Sequence, residues 1–158
     1  MIFKNLGCLV LSVWCLSVMA QAEPEEWKET EAPPPPAFNA DKLIALAMPP
    51  YVTLKFGLDP ATLSITPDGV VRYVVVARNT SGSTTAIYEG LRCSTNEVKT
   101  YARQTAGSPW AVVKAPRWQI LDSSLPSKHA TVLAYQGVCG SPSTTPHSVA
   151  DIVRALKQ

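Results

Sequence analysis

The sequence has little of what catalytic and metal-binding chains are usually built around. It holds two histidines, His129 and His147, and four cysteines, none of them in a Cys-x-x-Cys pair. A zinc site needs three or four ligands at characteristic spacings, and this set does not supply them convincingly. The Gly-x-Ser-x-Gly of a serine nucleophile elbow is missing, as is a glycine-rich loop of the kind that cradles phosphates. Charged residues make up only 16% of the chain, with a net charge of +2. No dense Lys/Arg face emerges, which argues against a nucleic-acid partner. Beyond the first residues there is no apolar run of the roughly 20 residues that a bilayer requires. No internal repeat is present. These absences leave no cofactor to name and no metal site or catalytic residue to assign.

What is present begins with an address. Lys4 is followed by an uncharged, apolar stretch from Leu6 to Val18, then by Ala20-Gln21-Ala22 and Glu23. A positive start, a short apolar run and an Ala-x-Ala pattern predict a signal peptide over residues 1–22, cut after Ala22. The run is shorter than a membrane anchor. Cys8 follows Gly7 with almost no apolar run before it, and Cys15 follows the bulky Trp14, so neither suits lipidation. The chain is therefore expected in the periplasm, or secreted or surface-associated, and not membrane-spanning once cleaved. Cys93 and Cys139 then remain, and an even number in an oxidising compartment predicts a disulfide between them. By the loop-entropy estimate such a link contributes about 4 kcal/mol.

Residues 23–40 read as an acidic, proline-rich linker. Glu23, Glu25, Glu26, Glu29 and Glu31 stand against one Lys28, and Pro33 to Pro36 are consecutive. Proline lacks an amide donor and favours the extended polyproline II form, so a stiff spacer is expected. Trp27 is the odd member of this arm, a docking point on the domain or on a partner.

Residues 41–158 are predicted to form one α+β domain. Val52 to Leu58 alternates apolar and polar residues as a half-buried strand does. Val70 to Arg78 is apolar on both faces, which points to a central strand. A polar loop, Asn79 to Ser83, leads to a partner strand from Thr84 to Cys93, and a third strand runs from Glu97 to Arg103. Trp110 to Val113 and Trp118 to Leu121 are short strands or loop anchors. Ser127 is placed as the cap of a short helix running to Tyr135. Val149, Ile152, Val153 and Leu156 recur at helical spacing behind Thr145 or Ser148 as cap. The sum is an antiparallel β-meander sheet with one or two C-terminal helices packed on it.

The densest group of polar side chains is Tyr88-Glu89-Gly90-Leu91-Arg92-Cys93. Glu89 shares a strand face with Ile87, Leu91 and Cys93, and a carboxylate there is costly unless paired. With a two-residue turn at Ser81-Gly82, Glu89 lies diagonal to Arg72 and within reach of an ion pair. With a five-residue loop it faces Tyr73 instead. The pair either fixes strand register or lines a polar pocket for a small ligand, with Arg92 and a tryptophan, Trp110 or Trp118, beside it. Those two tryptophans otherwise serve as core anchors of an irregular loop. Gly137-Val138-Cys139-Gly140 faintly resembles a nucleophile elbow with His129 or His147 as base. Ser141 stands where a full elbow has glycine, no strong strand precedes it, and the compartment opposes a free thiol.

The ordered set Asp68-Gly69-Val70-Val71-Arg72-Tyr73, then Tyr88-Glu89-Gly90-Leu91-Arg92-Cys93, then Tyr101-Ala102, followed by Trp110, Trp118 and Cys139, resembles the cryptic neisserial protein-like family of exported bacterial proteins. The likeness spans nearly the whole chain after Ala22. It implies an envelope protein whose cysteines belong to the fold, and it supplies no activity. Two functional classes follow: a non-enzymatic protein acting through binding or assembly with an envelope partner, or a small-molecule or glycan-binding module. A small hydrolase is the third and weakest.

Overall fold

The computed structural model describes residues 26–140 and 143–158; the predicted signal peptide lies outside them. Among the described residues eight strands form one open antiparallel sheet: β1 (Ile44–Ala45), β2 (Lys55–Leu58), β3 (Ser64–Ile65), β4 (Val70–Arg78), β5 (Thr84–Arg92), β6 (Glu97–Thr105), β7 (Ala111–Val112) and β8 (Gln119–Ile120). The order is β1-β2-β4-β5-β6-β7, with β3 also on β4 and β8 also on β6. Two helices follow, α1 (His129–Leu133) and α2 (Val149–Leu156). This is the expected α+β meander.

β4 and β5 are central because both their faces are apolar. Val71, Tyr73 and Val75 point to the side that α1 and α2 cover, where Leu91, Leu133, Val138, Ile152 and Leu156 complete the main core. Val74 and Val76 point the other way and meet Ala86, Tyr88, Tyr101 and Ala102 in a second, smaller cluster. The β4–β5 hairpin closes through Asn79–Ser83, whose backbone pairs from Asn79 N–H to Ser83 C=O at 3.0 Å. Gly82 sits there at φ +87°, a conformation that favours glycine. This longer loop puts Glu89 opposite Tyr73, the second of the two expected registers.

Other elements are shorter than the pattern predicts. β2 begins only at Lys55: Val52 is held in a turn by its N–H to Pro49 C=O, and Leu54 is exposed. Ser127 does not cap α1; Lys128 holds that position, and the Ser127 hydroxyl bonds a ring nitrogen instead. α1 stops at Leu133 and widens into a looser turn over Ala134–Val138, where Gly137 breaks the helix at φ +142°. α2 matches its apolar stripe, with the Ser148 hydroxyl accepting from Asp151 N–H at 3.2 Å. Cys93 and Cys139 are joined, tying the end of β5 to the segment after α1.

Residues 26–40 form no helix or strand, as the prolines require, yet they do not stand off as a spacer. They lie on the second cluster: Ala32 and Phe38 pack against it, and Phe38 meets Trp110 edge-on at 5.9 Å. The Asn39 N–H donates to the Asp59 carboxylate at 2.7 Å, fastening the arm to the turn after β2.

Candidate functional site

Two polar constellations lie back to back across the sheet. The first is centred on Glu89, which is 2% exposed on the core-facing side of β5. Its Oε2 lies 2.7 Å from His129 Nε2, and its Oε1 accepts from the Thr100 hydroxyl at 3.1 Å. Tyr73 directs its hydroxyl at Oε2 from 3.4 Å. A carboxylate only accepts, so Nε2 carries a proton. His129 Nδ1 meets the Ser127 hydroxyl at 2.8 Å, and the imidazole stacks on Phe56 at 5.0 Å and 11°. Burial pushes the Glu89 carboxyl up. The charge and hydrogen bond of His129, the Thr100 bond and the Arg103 charge outweigh it, and Glu89 is held below the usual carboxylate range. Burial, and then the Glu89 charge, push the Tyr73 phenol well above its ordinary value.

Glu89, Thr100 and His129 line a cleft of about 350 Å³. Its walls are largely apolar, from Leu54, Phe56, Ala77, Ile87, Val98 and Leu125, with Thr85, Arg103, Gln119 and Ser127 also lining it. Arg103 is exposed and forms no salt bridge among the described residues. The arrangement offers a place for an apolar body and a few oriented polar atoms, the usual make-up of a small-ligand pocket. Among the described residues no three His, Cys, Asp or Glu side chains come together as a metal would need, and no helix is long and apolar enough to cross a membrane.

The second constellation is on the opposite face, where the acidic arm crosses the sheet. Glu29 Oε2 accepts from Lys99 Nζ at 2.6 Å and from Trp118 Nε1 at 3.1 Å, and its Oε1 accepts from the Tyr101 hydroxyl at 2.8 Å. Trp27 lies under the Arg92 guanidinium, 3.6 Å from its ring centroid, and its Nε1 donates to Asp68 C=O at 2.8 Å. Thr30 N–H donates to Asp68 Oδ2 at 2.6 Å, and Arg72 Nη2 donates to Thr30 C=O at 2.5 Å. Burial raises the Glu29 carboxyl, but the bonds from Lys99, Tyr101 and Trp118 win and hold it low.

A bulge supplies this geometry. Tyr88 pairs with Ala102 while Glu89 pairs with Thr100, so Tyr101 is an extra residue on β6. Tyr101 and Ala102 thus both reach the second cluster while Thr100 keeps its place beside Glu89. Gly90 makes room: a Cβ there would lie 2.6 Å from the Tyr101 hydroxyl oxygen.

The residues expected to share a ligand site do not converge. Glu89 alone is in the cleft. Arg72 is on the other face, 3.8 Å from Glu29 and from Asp68, so the expected Glu89–Arg72 ion pair does not form; the five-residue hairpin loop removes the register it required. Arg92 pairs with Glu97 at 3.7 Å and covers Trp27; Trp118 serves Glu29, and Trp110 packs on Phe38. Cys139 is in the disulfide and is no nucleophile. Thr100, Ser127 and Phe56 are cleft residues that sequence reasoning assigned to no site, and His129, weighed there only as a base for Cys139, is the partner of Glu89. His129 comes from 40 positions away, and its one visible signal is that Glu89 on an apolar face needs some partner.

The fold is thus an open antiparallel sheet with helices on one face, a disulfide at their junction and an arm laid across the other. The chain matches the model of the CNP1-like family over residues 22–157 and belongs to that family. No curated protein and no solved structure gives a match.

Proposed function

We propose that this is an exported cell-envelope protein that acts by binding, and that the cleft over Glu89 and His129 takes a small, mainly apolar ligand. The observation that carries the reading is the pairing of an apolar cleft of about 350 Å³ with a buried, charge-bearing floor. Buried polar groups at the end of an apolar cavity orient a ligand at little cost, because they are already held by their neighbours. The signal-peptide pattern of residues 1–22 and the Cys93–Cys139 bond support an oxidising compartment outside the cytoplasm.

The test uses protein purified from the envelope fraction. Native mass spectrometry looks for a retained small molecule, and an environment-sensitive naphthalene probe is titrated into the delipidated protein. Thr85→Trp, which fills the cleft from its half-buried rim, is expected to abolish probe binding and leave the melting temperature within a few degrees. Equal probe binding by wild type and Thr85→Trp sinks the reading. In the same preparation, intact mass beginning at Glu23 supports export, and retention of residues 1–22 overturns it.

One observation favours a second reading, acyl hydrolysis. Ser127, His129 and Glu89 form a continuous hydrogen-bonded series at 2.8 and 2.7 Å, the order of a nucleophile, a base and an orienting carboxylate. Ser127 lies two residues before His129 in one turn, which also places the two side chains together for purely local reasons. Labelling of Ser127 by a fluorophosphonate separates the readings: a covalent adduct on Ser127 favours hydrolysis, and an unmodified protein leaves binding.

A further inference from the structure

We infer that the face of the sheet opposite the cleft is a binding groove for an extended acidic segment of a partner polypeptide, and that the chain's own residues 26–32 fill it in cis as a displaceable occupant. The arm is not held as a strand would be. It forms no ladder with the sheet, and its side chains are read one by one. One carboxylate, that of Glu29, collects an ammonium, a phenol and an indole N–H from three positions between β6 and the approach to β8. One indole, that of Trp27, collects a guanidinium over its ring and a backbone carbonyl at its nitrogen. Charge-assisted bonds to a carboxylate and a cation over an aromatic face are the means by which proteins recognise short peptides, and nothing in them requires the peptide to be covalently attached. The groove is cationic, through Arg72, Arg92 and Lys99, and its present occupant is acidic.

Arg72 is the reason to regard the occupant as displaceable. It is 1% exposed, and among the described residues its Nε and Nη1 have no hydrogen-bond partner. Among the described residues it donates to Thr30 C=O and lies 5.6 Å from the Tyr101 ring centroid, and the nearest carboxylate oxygens are 3.8 Å away. Burying an under-bonded guanidinium is costly. The docked arm bears that cost, and release of the arm returns Arg72 to water. A segment that places a carboxylate or carbonyl against the free guanidinium nitrogens fits the groove better than the arm does.

The experiment uses the whole mature chain carrying Trp27→Ala and Glu29→Gln, which disengage the arm. A fluorescein-labelled peptide of residues 26–34 is titrated by anisotropy. The double variant is expected to bind it at least about tenfold more tightly than wild type does, since the wild-type groove is occupied. A peptide with Gln at position 29 should bind the variant at least about tenfold more weakly than the native peptide. A variant with native circular dichroism and an intact disulfide that ignores the peptide, or binds both peptides alike, overturns the proposal. Should the variant not fold, hydrogen exchange on the wild type decides. Exchange of the Thr30 amide well ahead of the β5 amides supports an opening arm, and exchange together with them overturns it.

Discussion

Glu89 shows how far a single residue can be read. Its place on an apolar strand face says that it must be paired, because an unpaired buried carboxylate costs several kcal/mol. Which partner it takes depends on hairpin register and on an element folded back from 40 positions later. His129→Ala leaves that buried carboxylate without its 2.7 Å hydrogen-bond partner and should destabilise the protein by about 1–3 kcal/mol, measured by urea denaturation. The folded-state pKa of Glu89 is depressed, so its contribution is present above the unfolded value and lost as pH falls through the folded one. Glu29, also held low, acts in the same window, and Asp68 in one that opens lower, below its ordinary value of 3.8. Urea midpoints should therefore decline below about pH 4.5, the ordinary glutamate value, and Glu89→Gln should show a shallower decline than wild type.

At the level of elements, the strongest patterns translate directly. The two-faced apolar run Val70–Arg78 is β4, and the 3.6-residue stripe with Ser148 ahead of it is α2. Short apolar runs translate less well, since their ends are set by neighbours. β2 starts late because the turn at Pro49–Val52 holds the preceding residues. α1 ends in a widened turn because Gly137 brings the backbone against α2: a Cβ there would lie 2.4 Å from that of Ala155. Gly137→Ala should cost about 3 kcal/mol, from strain at positive φ together with the overlap, read as a lower thermal midpoint. Replacing Gly107, also at positive φ but with open space around it, should cost less.

Taken as a whole, the molecule is held across its layers by two fasteners. The disulfide spans a separation of 46 residues and links the sheet to the segment after α1. The double variant Cys93→Ala, Cys139→Ala should lose about 4 kcal/mol in chemical denaturation, the loop-entropy value for that span. The arm is the other fastener, and it makes the N-terminal side of the chain part of the sheet's outer surface. The proline run accurately signals an extended backbone, but a composition rich in proline and glutamate reads the same for a free tether as for a docked strap. Trp27 was the one residue in it that pointed to docking.

The sequence by itself determined the fold class, the central hairpin, the C-terminal helix, the Cys93–Cys139 pairing and the family. All of these rest on local periodicity, parity or residue order, which a linear chain carries in full. The tertiary structure alone decided that Glu89 takes His129 and not Arg72, that a bulge at Tyr101 separates the two faces, and that Glu29 is gripped by β6 and Trp118. Strand faces alternate with period two, so one loop length or one inserted residue changes which side chains meet, and no local pattern records that choice.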